Sequence, residues 1–268
     1  MTKKPLTVTF DTNVFNPLVD KQIRKPAYIQ IFEAIEAAIR NREIIPFASD
    51  AIAMIEGVRG VDRSAVHQNK GYSVKVTSHS VDEDGVVDNL ETFVIQKGQP
   101  APPLPEPLKK RIARGRELGF KFISIPRVAH GRLEDSFYKE ESSEQLRVRL
   151  DRVSPIFEAL ESAGMGSAQI EELSREAMRQ NPELTRFGEM GAAAHLNHPD
   201  YRELVAEWAD GDAICAHYAY DHDVFCTFDE GGRSGPKSVL HKSHRQWLSS
   251  QFQVQIISPK ELVAMIAP

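Results

Sequence analysis

Two cysteines, Cys215 and Cys226, are all that the 268 residues contain. That is too few for a disulfide framework or a cysteine-built metal cage, and it points to a reducing compartment and buried thiols. His195 and His198 stand close together in HLNHP, but no Cys or His partner lies at zinc spacing, so a loop or capping role is expected of them. No apolar run approaches membrane-spanning length. The opening MTKKPLTV carries charge with no apolar stretch behind it, so no signal peptide is read there. Strong charge of one sign is missing too: the net charge is −5, which argues against a protein coated by nucleic acid. No repeat of fixed period is present. A soluble, cytoplasmic protein is the expectation.

What is present is an ordinary apolar content of 41%, enough to bury a core and to exclude wholesale disorder. The length suits one large domain or two modest ones. The run TVTF at 7–10 is β-branched and aromatic, reads as a strand, and stops on Asp11. Helical spacing follows in YIQIFEAIEAAI, then a second strand, EIIPFA, in which Pro46 indicates an edge or a bend. Ser49 or Asp50 can cap the helix that begins SDAIAMIEGV. Strand, helix, strand and helix in succession argue for a parallel sheet.

Over about 60–140 that rhythm breaks. GYSVKVTSH and ETFVIQ read as the strands of a hairpin, and the Pro-rich QPAPPLPEP is stiff and extended. A basic helix, PLKKRIARGREL, and a strand, KFISIPR, come next, and the whole segment is expected to be an insertion. Residues 142–162 and 167–180 read as two further helices within a helical segment, 142–195. Alternation then resumes. Residues 201–209 are helical, Gly211 is expected to interrupt, and AICAHYAYDH continues as a second apolar helix. VFCTFD is a strand ending on Asp229, HRQWLSSQF a helix, VQIIS a strand, and PKELVAMI a helix with Pro in its first turn. The expectation is one α/β domain, a three-layer α/β/α sandwich around a parallel sheet, with its core in 5–58 and 196–268.

Acids recur at the ends of these elements. Asp11 and Asp229 each close an apolar strand, and parallel strands put both at one edge, where open α/β sheets gather ligands. Asp212 follows Gly211 and is expected to open the buried helix, where capping also explains a carboxylate. Glu56 stands on an otherwise apolar helix and needs a partner if buried; Asp50 nearby is its rival, as Asp210 is to Asp212. Crowded carboxylates repel unless a cation neutralises them, and oxygen ligands without a His or Cys cluster suit magnesium or manganese.

FDTNVF, the IEGVRG segment, GDAICAHYA and FCTFD resemble, in order and character, the acidic motifs of the PIN domain family of nucleases. The resemblance implies metal ligands at Asp11, Glu56, Asp212 and Asp229, with the Thr227 hydroxyl beside them. It implies a divalent-metal-dependent endoribonuclease acting on single-stranded RNA, its water activated by magnesium or manganese. Asn13 is a turn residue beside the site that can also meet substrate. Lys109, Lys110 and Arg111 on the basic helix, and Arg233, Lys237, Lys242 and Arg245 after Asp229, are the cations available to substrate phosphates. The chain is longer than a minimal member, so a toxin with an antitoxin partner is one option among several, and a homodimer is another. Two other readings stay open. One is a PIN-like RNA-binding or protein-interaction module without activity. The other is a phosphatase of the HAD type, to whose aspartate motif FDTNV is similar, although Asn13 stands where that chemistry needs an acid.

Overall fold

The first apolar run forms β1 (Leu6–Phe10), the middle strand of a five-stranded sheet. The structure, a computed structural model, describes residues 4–53, 72–83, 86–97, 104–124, 133–187, 192–193, 200–231 and 235–267. β1 lies between β2 (Ile44–Ser49) and β6 (Val224–Cys226); β5 (Lys121–Ile123) borders β2, and β7 (Ile256–Ile257) borders β6. Every pairing in this sheet is parallel. Within β2, the partners of β5 are Phe47, Ala48 and Ser49, so Pro46 lies just before the stretch of β2 that is paired on both sides.

A parallel sheet needs cover on both faces, and alternation along the strands supplies two cores. Val8, Phe10, Ile44, Ala48, Phe122, Val224 and Cys226 face one cluster. It includes residues of α1 (Thr12–Val19), α2 (Ile29–Arg40), α3 (Glu106–Leu118) and α8 (Pro259–Ile266). Phe47, Ile123 and Phe225 face the other, with residues of α4 (Ser143–Ser162), α6 (Tyr201–Ala219) and α7 (Lys242–Phe252). The result is helix, sheet, helix. α5 (Ser167–Gln180) packs on α6 through Ile170.

Two expectations change. The segment 60–140 is not wholly an insertion. Its hairpin does form a separate antiparallel pair, β3 (Tyr72–Glu83) with β4 (Val86–Lys97). The basic helix and the strand after it, however, are α3 and β5, and both belong to the main body. Leu108 and Ile112 bury a narrow stripe against α1, and a Cβ at Gly115 would come within 2.8 Å of the Phe15 ring. That close approach is why glycine stands in the middle of this helix.

Gly211, in turn, does not interrupt anything: α6 is continuous. A Cβ there would sit 3.3 Å from the Gly166 Cα, so glycine admits the backbone of the α4–α5 turn. Asp212 therefore lies in the body of a helix and does not open one.

Thr9 points into the second core, between two buried imidazoles. Its hydroxyl lies 2.8 Å from His222 Nδ1 and 3.0 Å from His217 Nδ1. Burial pushes His217 down to about 3 and His222 down to about 2, so both rings are neutral. One hydroxyl proton serves only one ring, so the other ring must donate to Thr9. His222 Nε2 is buried with no hydrogen-bond partner among the described residues. A bare lone pair there costs less than an orphaned N–H, which places the His222 proton on Nδ1 and the Thr9 proton on His217.

Candidate active site at the carboxyl edge of the sheet

β1 ends on Phe10, and the next residue carries the ladder one step further: Asp11 N donates to Cys226 O at 3.0 Å. Its side chain then caps α1. Oδ1 accepts from Thr12 N at 2.6 Å, and Oδ2 accepts from Asn13 Nδ2 at 2.6 Å and from the Thr227 hydroxyl at 2.5 Å. Thr227, just past β6, accepts in turn from Asp229 N at 2.9 Å and Asn13 Nδ2 at 3.0 Å. Asn13 Oδ1 accepts from Phe228 N at 3.0 Å. Both ends of the Asn13 amide are thus used to clamp the ends of β1 and β6 together. Asp229 turns its chain by accepting from Gly231 N at 2.7 Å. Arg245 fixes the same loop, its guanidinium donating to the Leu240 and Asp229 carbonyls.

Burial pushes Asp11 up to about 6, and the neighbouring charge of Asp229 adds to this. The donors from Thr227, Thr12 and Asn13 act the other way without winning. A carboxylate desolvated beside a second carboxylate is a place where a cation is favoured.

The remaining sequence candidates divide. Asp11, Asp229, Thr227 and Asn13 come together. Glu56 and Arg233 lie outside the described residues, as do His195 and His198. Asp212 is buried in the body of α6 and lines a crevice with Phe157, Leu160, Met165 and Gly166. Among the described residues the Asp11 network does not include it, and no three His, Cys, Asp or Glu side chains gather as a metal cluster. Asp50 is buried at the end of β2 and accepts from the Tyr138 hydroxyl at 3.1 Å; burial raises it to about 6. Arg149 forks onto Glu141 and donates to Ser124 O at 3.0 Å, so this end of the sheet carries its own polar network. Sequence reasoning did not find Tyr138, Glu141 or Arg149, because they join only when α4 packs.

Of the cations expected to meet substrate, Arg111 is engaged elsewhere. It and Arg114 pair with Asp20 at 3.2 Å each, at the far end of α1 from Asp11. An eight-residue helix spans about 12 Å, so this pair fastens α3 to α1 away from the carboxyl edge. Lys109 pairs with Glu106 at 2.7 Å on the same helix, and Lys110 is exposed. Lys237 is exposed, and its carbonyl accepts from Gln169. Lys242 and Arg245 instead line a cleft of about 840 Å³ that reaches Thr227. Lys260 lines it as well, a residue whose only sequence signal is a cation in the first turn of the terminal helix.

Cys215 and Cys226 are buried thiols and form no disulfide with each other, as expected. Among the described residues no helix is long and apolar enough to cross a membrane. No protein-family model matches the chain, and comparison with curated proteins and with solved structures gives no match.

Proposed function

We propose that this chain is a divalent-metal-dependent nuclease of the PIN type that cuts single-stranded RNA internally. The observation that carries the reading is the Asp11 carboxylate. It stands at the carboxyl end of the central strand, is held by Thr227 and Asn13, and has the charge of Asp229 beside it. The donor set suits magnesium or manganese, because these ions bind through one or two carboxylates and leave other positions to water and phosphate. Asp11 and Asp229 would hold the ion; Asp212 and Glu56 match the family pattern in sequence and the proposal does not rest on them. A bound ion supplies an activated water and neutralises charge on the phosphodiester.

The chain's own residues do the positioning. Thr227 donates to Asp11 and accepts from Asp229 N, so one hydroxyl sets both acids. Asn13 is a clamp, and its amide has no acid or base to offer, which removes support for HAD-type phosphatase chemistry. A second reading has one observation in its favour: three donors already satisfy Asp11, as a purely structural cap requires. In it the protein binds nucleic acid without cutting.

The test is manganese-dependent cleavage of an unstructured, end-labelled RNA by the purified protein. Asp11→Asn and Asp229→Asn are expected to remove cleavage while circular dichroism shows an intact fold. Wild-type cleavage by either folded variant refutes the proposed site. Binding without cleavage by the wild-type protein selects the second reading.

A further inference from the structure

The cleft beside Thr227 has a composition that the metal site does not require. One wall is apolar and aromatic: the Tyr28 and Phe228 rings lie 4.8 Å apart, next to Ile31. The other is built from the first turns of α7 and α8, which contribute Lys242 and Lys260. Both lysines are exposed, and neither makes an ion pair among the described residues. The other charges of the cleft are Arg245, Glu261 and Glu230, the last an exposed carboxylate whose charge acts on Arg245. Arg245 is bound to two carbonyls, and Glu261 accepts from Ser258 N and from the Ser258 hydroxyl at 2.7 Å each. Two ammonium groups without an ion partner among the described residues therefore share with an aromatic pair a cleft that ends one hydrogen bond from Asp11.

We propose that this cleft holds the strand on one side of the scissile bond, with Lys242 and Lys260 gripping successive phosphates and the Tyr28–Phe228 wall taking a base or sugar. The inference rests on the nuclease reading and adds to it the path of the substrate. A polyanion fits better than a compact metabolite. The two lysines lie on different helices, the volume far exceeds one phosphate, and backbone tracking by cations with bases on aromatic rings is how single strands are held. The cations of α3 are the rival grip, and Arg111 is already committed to Asp20.

The test uses the full chain in EDTA, with anisotropy of a fluorescein-labelled oligouridylate measured over a salt series. Lys242→Ala with Lys260→Ala is expected to weaken binding about tenfold and to lower the log–log salt slope by about 1.4, two phosphates at ~0.7 each. Arginine at both positions should restore the slope, since phosphate contact needs the charge. Lys109→Ala with Lys110→Ala should change neither. Unchanged affinity in the cleft double variant, a loss confined to the α3 variant, or no strand binding by the wild-type protein would each overturn the proposal. Manganese-dependent hydrolysis of bis(4-nitrophenyl) phosphate by the wild-type protein reads the metal site alone. Its absence would refute the nuclease reading, whereas the binding series decides the cleft.

Discussion

Replacing Thr9 by Val tests the buried hydroxyl that joins β1 to α6. The side chains have nearly the same shape, so no cavity opens, and the change is confined to the hydrogen bonds to His217 and His222. Two such bonds contribute about 0.5–1.5 kcal/mol each, and an imidazole N–H left buried and unpaired costs about 1–3 kcal/mol. The pairs lie at 2.8 and 3.0 Å, and Thr9, His217 and His222 are all buried, so solvent does not replace the lost partner. The sum, allowing for relaxation, is a loss of about 2–4 kcal/mol. Urea unfolding at pH 8 measures it, because both rings are neutral there in folded and unfolded chains and protonation does not contribute. Thr7→Val is the exposed comparison: its hydroxyl donates to Asp223 and accepts from Asp223 N where water can replace both, and a smaller loss of about 1 kcal/mol is expected. The tautomers give an independent reading, with ¹⁵N spectra expected to show a proton on Nδ1 of His222 and on Nε2 of His217. A Thr9→Val loss no larger than that of Thr7→Val, or two rings of the same tautomer, would refute the reasoning.

Acid titration separates two opposing effects. The histidines have depressed folded values, so the unfolded chain takes up their protons first and stability falls as pH drops below about 6.5. Asp11 is raised to about 6, so the folded chain protonates it first and stability is gained as pH falls from about 6 towards 3.8. Asp11→Asn removes that gain, and wild-type stability minus variant stability should rise by about 2 kcal/mol between pH 8 and pH 4 in urea unfolding; parallel curves would contradict it. At pH 7.5, manganese should raise the melting temperature of the wild-type protein and leave Asp11→Asn unmoved, because an ion bound only by the folded state stabilises by mass action. Gly115→Ala places a methyl group 2.8 Å from the Phe15 ring and should lower stability by about 1–3 kcal/mol in the same assay; a stabilised variant would mean that α1 and α3 can part freely.

Much of this molecule was local enough to read along the chain. TVTF and VFC declare themselves as strands by their β-branched and aromatic residues, the second shorter than the VFCTFD expected, and they are parallel neighbours, Val8 opposite Val224 and Phe10 opposite Cys226. The helices at 142–162 and 167–180 follow from apolar spacing and emerge as α4 and α5. Asp11 was legible as an edge acid because it directly follows its strand; Asp229, expected to end its own, lies three residues beyond Cys226, the last residue of β6, and Thr227 was singled out only through the PIN resemblance. Periodicity reports what one element buries, whereas partners distant in the chain leave no mark on it. Thr9 meets His217 and His222 across more than 200 residues, and nothing in either stretch announces the other. α3 looked like an appendage because only Leu108, Ile112 and Gly115 of a basic helix turn inward. Gly211 looked like a helix break because glycine is a poor helix former, but the turn packed against it decided the matter. Asp212 was moved off the helix start for the same reason, and Arg111, expected to meet substrate, is paired with Asp20 instead. Sequence alone determined the strands, the class of sheet and the two acids at its edge, all set within a few residues. Only tertiary packing decided which charges are neutralised internally and which, like Lys242 and Lys260, make no ion pair among the described residues.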